Sequence, residues 1–187
     1  MNKNKKLLII IVVLVLVLGL AGWFYTSLSK DYQPTSNSSN AQQDAQEETI
    51  FAPNFTVYNE KGEKVTLHSL KGKPIILNFW ASWCGNCKME MPYFQDMYEK
   101  YGDEIHFVMV DMVDDQRETQ EIGSAFVKEN GFTFPVYYDN DLDVAMNYGI
   151  YALPTTFFLN DDLSLVQGYT GALSYDVLQA NIERLMK

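Results

Sequence analysis

Two cysteines, Cys84 and Cys87, are the only ones in a chain of 187 residues, and they stand in one Cys-Gly-Asn-Cys stretch. Structural disulfide frameworks spread cysteines along a chain. A bridge across so small a loop constrains the unfolded chain little, so the pair points to chemistry rather than stability. The hydrophobic period changes across it. Pro74 to Ala81 is a nearly continuous apolar run, as in a buried strand. Met91, Phe94, Met97, Tyr98 and Tyr101 then recur at three- and four-residue steps, as in an amphipathic helix. Cys84 therefore falls where strand gives way to helix. A thiolate there faces unpaired N–H groups and the positive end of the helix dipole, so Cys84 is expected to have a lowered pKa and to be nucleophilic at neutral pH. Cys87, one turn on, is placed to close a disulfide with it. The predicted arrangement is a dithiol redox centre.

Zinc sites use the same Cys-x-x-Cys spacing but need four ligands. The chain has no second cysteine pair, and its only histidines are His68, in a loop, and His106, at the head of a predicted strand. Both read as surface or packing residues, so metal is the weaker reading, and no cofactor is expected.

The elements that must position the dithiol follow from periodicity and turn signals. Phe55–Tyr58 and Lys64–Leu67 read as a hairpin around Gly62, and Leu70–Lys73 leads into the buried strand. The helix after Cys84 is expected to stop at Gly102, and to be kinked by Pro92, a residue that only shapes it. Ile105–Asp111 reads as a second buried strand, Arg117–Asn130 as a helix ended by Gly131, and Phe134–Tyr138 as a short strand. Asp141–Tyr148 reads as a short helix, Thr155–Leu159 and Leu163–Tyr169 as a strand pair, and a helix capped by Ser174 closes the chain. The alternation implies parallel crossovers, and the closing pair makes the sheet mixed, with helices on both faces.

Ahead of this domain the composition changes twice. Leu7 to Tyr25 is uncharged and mostly aliphatic, enough for roughly 28 Å of helix. Lys3, Lys5 and Lys6 precede it, which predicts a cytoplasmic N-terminus at residues 1–6 and an uncleaved signal-anchor across residues 7–25. A cleaved signal peptide fits less well, because no small-x-small site precedes Trp23. Residues 26–50 are polar and acidic, as in a flexible tether, and residues 51–187 form the folded domain. All 24 acidic residues but only ten of the fourteen basic ones lie after Lys30, a formal charge of −14. That charge disfavours nucleic acid as a partner.

Three stretches together carry a resemblance: Trp80-Ala81-Ser82-Trp83-Cys84-Gly85-Asn86-Cys87-Lys88, Glu90-Met91-Pro92, and Leu153-Pro154-Thr155-Thr156-Phe157. From about Phe51 to Lys187 the chain resembles thioredoxin-fold proteins, and more narrowly the TlpA/ResA-like membrane-anchored thiol–disulfide oxidoreductases. The resemblance implies an α/β thioredoxin fold with an N-terminal β-hairpin and an inserted helix near Arg117–Asn130. It implies that Cys84 attacks a partner disulfide, that Cys87 resolves the mixed disulfide, and that the Leu153–Pro154 bond is cis. Trp83, Gly85, Asn86, Leu153, Pro154 and Thr155 are the expected substrate-binding residues, with Leu153 and Thr155 pairing an extended segment. Glu90 shares a helix face with Cys87 and is a candidate proton shuttle, the alternative being one more acid on an acidic helix. Lys88 reads as solvated, and Trp80 and Trp83 as shielding around the dithiol.

Two departures stand out. Asn78 occupies the place of a buried aspartate in thioredoxin, which raises interest in Glu90. Gly85-Asn86 replaces the Gly-Pro of thioredoxin and the Glu-Pro frequent in ResA-like proteins. The resemblance further implies a bacterial, extracytoplasmic reductant of disulfide- or thiol-bearing proteins, such as apocytochrome c or a methionine sulfoxide reductase. A membrane thiol carrier of the CcdA/DsbD kind would supply its electrons. A disulfide-forming oxidase is the rival within the same chemistry, and a metal-binding or adaptor module with an inactive site the rival outside it. A peroxiredoxin is disfavoured, because Ala81-Ser82-Trp83-Cys84 is not Thr-x-x-Cys.

Overall fold

A computed structural model describes residues 14, 16–20, 22–25 and 49–187. The chain divides into two units, Met1–Gln46 and Glu47–Lys187. In the first, the described residues are helical, with exposed large apolar side chains such as Leu16 and Leu18. The expected span over residues 7–25 lies partly outside the described residues, and the tether lies outside them up to residue 48. Among the described residues no helix is long and apolar enough to cross a membrane.

The second unit is a seven-stranded mixed sheet. Its elements are β1 (Thr56–Asn59), β2 (Lys64–Thr66), a 3-10 turn (Leu67–Leu70), β3 (Ile75–Trp80), α1 (Gly85–Tyr101), β4 (His106–Met112), α2 (Gln120–Glu129), β5 (Val136–Asp139), α3 (Asp143–Asn147), β6 (Thr155–Leu159), β7 (Leu165–Thr170) and α4 (Tyr175–Leu185). The strands lie in the order β2-β1-β5-β4-β3-β6-β7. β4 runs parallel to β3 and β5, and β6 runs antiparallel to β3.

β3 lies inside the sheet between β4 and β6, and every one of its residues is buried, which is why it reads as a continuous apolar run. Its alternate side chains serve two cores. Ile76 and Trp80 join α1, α2 and α4 through Met91, Phe94, Val127, Leu178 and Ile182. Ile75, Leu77 and Phe79 join the first hairpin and α3 through Val57, Leu67 and Val144. Burying each such side chain stabilises the fold by about 1.5–3 kcal/mol, so the strand end that carries the dithiol is firmly anchored.

Two expected boundaries move for identifiable reasons. The inserted helix starts at Gln120, not Arg117, because Asp114 Oδ1 accepts the backbone N–H groups of Gln116, Arg117 and Glu118 in a tight loop. Thr119 then caps the helix. β2 ends at Thr66, whose hydroxyl accepts from Ser69 N–H and opens the 3-10 turn. Gly102 ends α1 with ordinary helical angles rather than a left-handed turn. A Cβ there would lie 2.7 Å from the Tyr98 carbonyl oxygen, so close approach is what requires glycine. α1 itself continues through Pro92.

Candidate active site

The turn of residues 81–84 joins β3 to α1. Cys84 takes the helix cap position, and its sulfur accepts the backbone N–H of Cys87 at 3.1 Å. The sulfurs of Cys84 and Cys87 are bonded as a disulfide, with Cα atoms 5.3 Å apart. Cys84 is 6% exposed and Cys87 wholly buried, so what exposure the pair has belongs to Cys84. When the bond is reduced, the same N–H and the helix dipole are aimed at Cys84 sulfur and favour its thiolate. Gly85 and Asn86 are exposed in the first helical turn.

The Leu153–Pro154 peptide is cis. Leu153 and Trp83 line one cavity of about 180 Å³, together with Arg117, Ile150 and Tyr151. Trp83 is 42% and Tyr151 88% exposed, so an aromatic surface borders the dithiol turn. The Arg117 guanidinium stacks 4.1 Å from the Trp83 ring centroid, and its Nε pairs with Asp114 Oδ2 at 3.3 Å. Thr155, by contrast, is buried and paired on both sides, to Phe79 and Thr170, and its hydroxyl donates to the Ala152 carbonyl. Pro154 carbonyl accepts from Gly171 N–H. Of that stretch, Leu153 is the residue left open beside the disulfide.

Glu90 is not a surface acid. It is 1% exposed, one helical turn after Cys87. Asn78 Nδ2 donates to its Oε1 at 2.9 Å, and Leu173 N–H donates to its Oε2 at 2.7 Å. The same Asn78 nitrogen also donates to Thr156 Oγ1 at 2.9 Å. Burial pushes the Glu90 carboxyl up, the two hydrogen bonds pull it down, and burial prevails, leaving it at about 7. A carboxyl at that value gives and takes a proton readily near neutral pH. Trp80 is wholly buried below the turn, and Lys88 Nζ lies 5.8 Å from the Phe126 ring.

Sequence reasoning missed two further buried acids, Asp111 on β4 and Glu118 in the loop before α2. Glu118 Oε2 accepts both the backbone N–H of Ser82 at 2.9 Å and its hydroxyl at 2.7 Å. Asp111 stands opposite Trp80 in the parallel ladder. The available signal was strand parity: Asp111 alternates onto the face of Phe107 and Met109, which is the helix-covered core. Glu118 was hidden because residues 117–119 read as helix. His106 pairs with Ile75, at the other end of β3 from the dithiol. Among the described residues no group of three or more His, Cys, Asp or Glu side chains is arranged to hold a metal ion.

Comparison with known proteins places this geometry. The model of the AhpC/TSA family matches residues 51–167. The thiol-disulfide oxidoreductase ResA of Bacillus thuringiensis (strain Al Hakam) is 34% identical over 135 residues, covering 72% of this chain and 76% of that protein. The crystal structure of StoA from Bacillus subtilis superposes with a TM-score of 0.61 at 30% identity, over 72% of this chain and 98% of StoA. The pneumococcal exposed lipoprotein thioredoxin Etrx1 from Streptococcus pneumoniae matches with a TM-score of 0.61 at 25% identity, over 70% of this chain and 99% of Etrx1. With a disulfide at the strand–helix junction, a buried glutamate behind it and these relatives, the chain belongs to the AhpC/TSA family of thioredoxin-fold proteins and is a thiol–disulfide oxidoreductase of the ResA-like kind.

Proposed function

We propose that the chain is a membrane-tethered reductant working outside the bacterial cytoplasm, with Cys84 as nucleophile, Cys87 as resolving thiol and Glu90 as proton shuttle. In the reduced state, Cys84 thiolate attacks one sulfur of a partner disulfide. A mixed disulfide forms and the other partner sulfur leaves as a thiolate, which takes up a proton. Glu90 then accepts the proton of Cys87, whose thiolate attacks Cys84 sulfur and releases the second partner thiol. Two electrons pass to the partner, and the Cys84–Cys87 disulfide is restored. A membrane thiol carrier of the CcdA/DsbD kind would reduce it again.

The observation that carries this reading is the burial gradient across the dithiol: a slightly exposed Cys84, a fully buried Cys87, and a buried acid of near-neutral pKa one turn beyond. Substrate binding is assigned to Trp83, Gly85, Asn86, Leu153 and cis Pro154, with Thr155 holding the strand end that presents them. The groove beside Trp83 and Leu153 suits an apolar side chain flanking the partner's cysteine. The tether rests on sequence: the uncharged run of residues 7–25 after three lysines, then the polar stretch of residues 26–50. Apocytochrome c thiols and methionine sulfoxide reductases are the partner classes that the ResA-like resemblance suggests.

The test is covalent trapping. Full-length Cys87→Ala, expressed in the native membrane, should accumulate mixed disulfides through Cys84 with proteins exposed outside the cytoplasm, and added reductant should release them. Recovery of no covalent partner, or only of cytoplasmic ones, would overturn the reading.

A further inference from the structure

The mechanism above uses one buried acid, yet a second, Glu118, bonds to the dithiol turn, and a third, Asp111, stands beside Glu118. Asp111 and Glu118 are both wholly buried. Both Asp111 carboxyl oxygens and Glu118 Oε1 lack a hydrogen-bonding partner among the described residues, while Glu118 Oε2 is committed to Ser82. The two carboxyls converge on Gly123: a Cβ there would collide with the Asp111 carboxyl and come within 3.1 Å of Glu118 Oε1. Two facing carboxylates cannot both stay ionised in an apolar interior. A proton held between them removes the repulsion and supplies the donor that the facing oxygens lack.

The surroundings make this a built arrangement. Asp114 accepts three successive backbone N–H groups, Asp115 turns through a left-handed conformation, and the Glu118 carbonyl accepts the N–H groups of Asp114 and Asp115. That loop drives the Glu118 side chain inward. Gly123 lets the first turn of α2 approach Asp111. Ser82, the residue Glu118 grips, is two positions before Cys84.

We propose that Asp111 and Glu118 are positioning residues for the dithiol: one proton shared between them leaves Glu118 Oε2 to hold Ser82, and through it the turn that presents Cys84. The inference rests on the thiol-exchange chemistry of Cys84 described above. Burial, then the Glu118 charge beside it, pushes Asp111 up to about 9, and burial raises Glu118 as well. The ionisable groups bearing on Asp111 are Glu118 and Asp114 from the loop and Tyr138 from β5, with Glu121 of α2 bearing on Tyr138. None of these is basic. Arg117, the nearby cation, is turned outward onto Asp114 and Trp83. In strongly alkaline solution the pair therefore loses its shared proton, the two charges separate, and the grip on Ser82 loosens.

The experiment follows Cys84 alkylation by iodoacetamide in the reduced full-length chain against pH, together with the reduction potential of the dithiol against pH. The wild type should show an alkaline inflection in both, beyond the ionisation of the thiols themselves. Asp111→Asn supplies a permanent amide donor to Glu118 and should remove that inflection. Glu118→Gln gives up the charged acceptor and should slow Cys84 alkylation at neutral pH by roughly tenfold, with a changed profile. If Glu118→Gln does not fold, Asp111→Asn decides by itself, because the amide is isosteric. A wild-type inflection retained in Asp111→Asn, or a wild-type rate and profile in Glu118→Gln, overturns the proposal. Failure of the wild type to reduce insulin would instead count against the function, so the two failures are told apart.

Discussion

Asn78 Nδ2 hydrogen-bonds Glu90 Oε1 at 2.9 Å, joining the middle of β3 to the dithiol helix through one amide. The Asn78 amide is a neutral donor, so Glu90 is the sole carboxyl of that contact and its titration is its own.

Removing that titration should separate the two halves of the reaction. Glu90→Gln keeps the shape but cannot take the Cys87 proton. Capture of partner disulfide by Cys84 should persist, while resolution slows by about 10²-fold, the lower end of general-base contributions. Stopped-flow kinetics with a quenched mixed disulfide checks this; equal slowing of both steps would refute the assignment.

Asn78→Asp would put a like charge against Glu90. The pair then titrates together, with one carboxyl pushed further above the present value of about 7. Carbon-13 NMR of the carboxyl groups should show the upward shift, and the pH at which exchange becomes fast should rise with it.

The raised acids also set how stability depends on pH. Glu90 at about 7 and Asp111 at about 9 bind protons more tightly in the folded chain than unfolded carboxyls do. Their stabilisation is complete below the unfolded values, about 4, and is lost as pH rises through the folded ones. The oxidised chain should melt at progressively lower temperature from about pH 5 toward pH 9. Glu90→Gln should reduce the slope below about pH 7, while Asp111→Asn should reduce it across the window and remove it above about pH 7. Asp114, held at about 2 chiefly by backbone hydrogen bonds, acts only in acid, in the opposite sense.

Arg117 caps the Trp83 ring, and its charge is solvent-facing. Arg117→Ala should leave the melting temperature almost unchanged, since exposed ion pairs contribute little. It should change KM for a protein substrate more than kcat, because the stacked pair lines the groove beside Leu153. A change in kcat alone would move Arg117 out of substrate recognition.

Gly102→Ala tests the close approach at the end of α1. Its Cβ would meet the Tyr98 carbonyl at 2.7 Å and the Tyr98 ring at 2.8 Å. A loss of about 1–3 kcal/mol in denaturant unfolding is expected, as for overpacked sites. Unchanged stability would show that Tyr98 yields freely.

What the sequence determined by itself was everything local. The switch from a strand period to a helix period located the dithiol, because side-chain periodicity is a property of neighbouring residues. The order of elements followed from the same signal, and three separated motifs sufficed for the family. What the tertiary structure decided was everything that depends on residues distant in the chain. Glu90 became a near-neutral acid only when folding buried it, an effect that the hydrogen bonds from Asn78 and Leu173 offset in part, since pKa follows burial and partners rather than residue type. Leu153, rather than Thr155, was left open because β7 and β3 occupy both sides of β6. Asp111 and Glu118 met because a capped loop turned one inward against a strand that held the other. The helical reading of residues 117–119 concealed that contact, and the missing side chain at Gly123 leaves room for it.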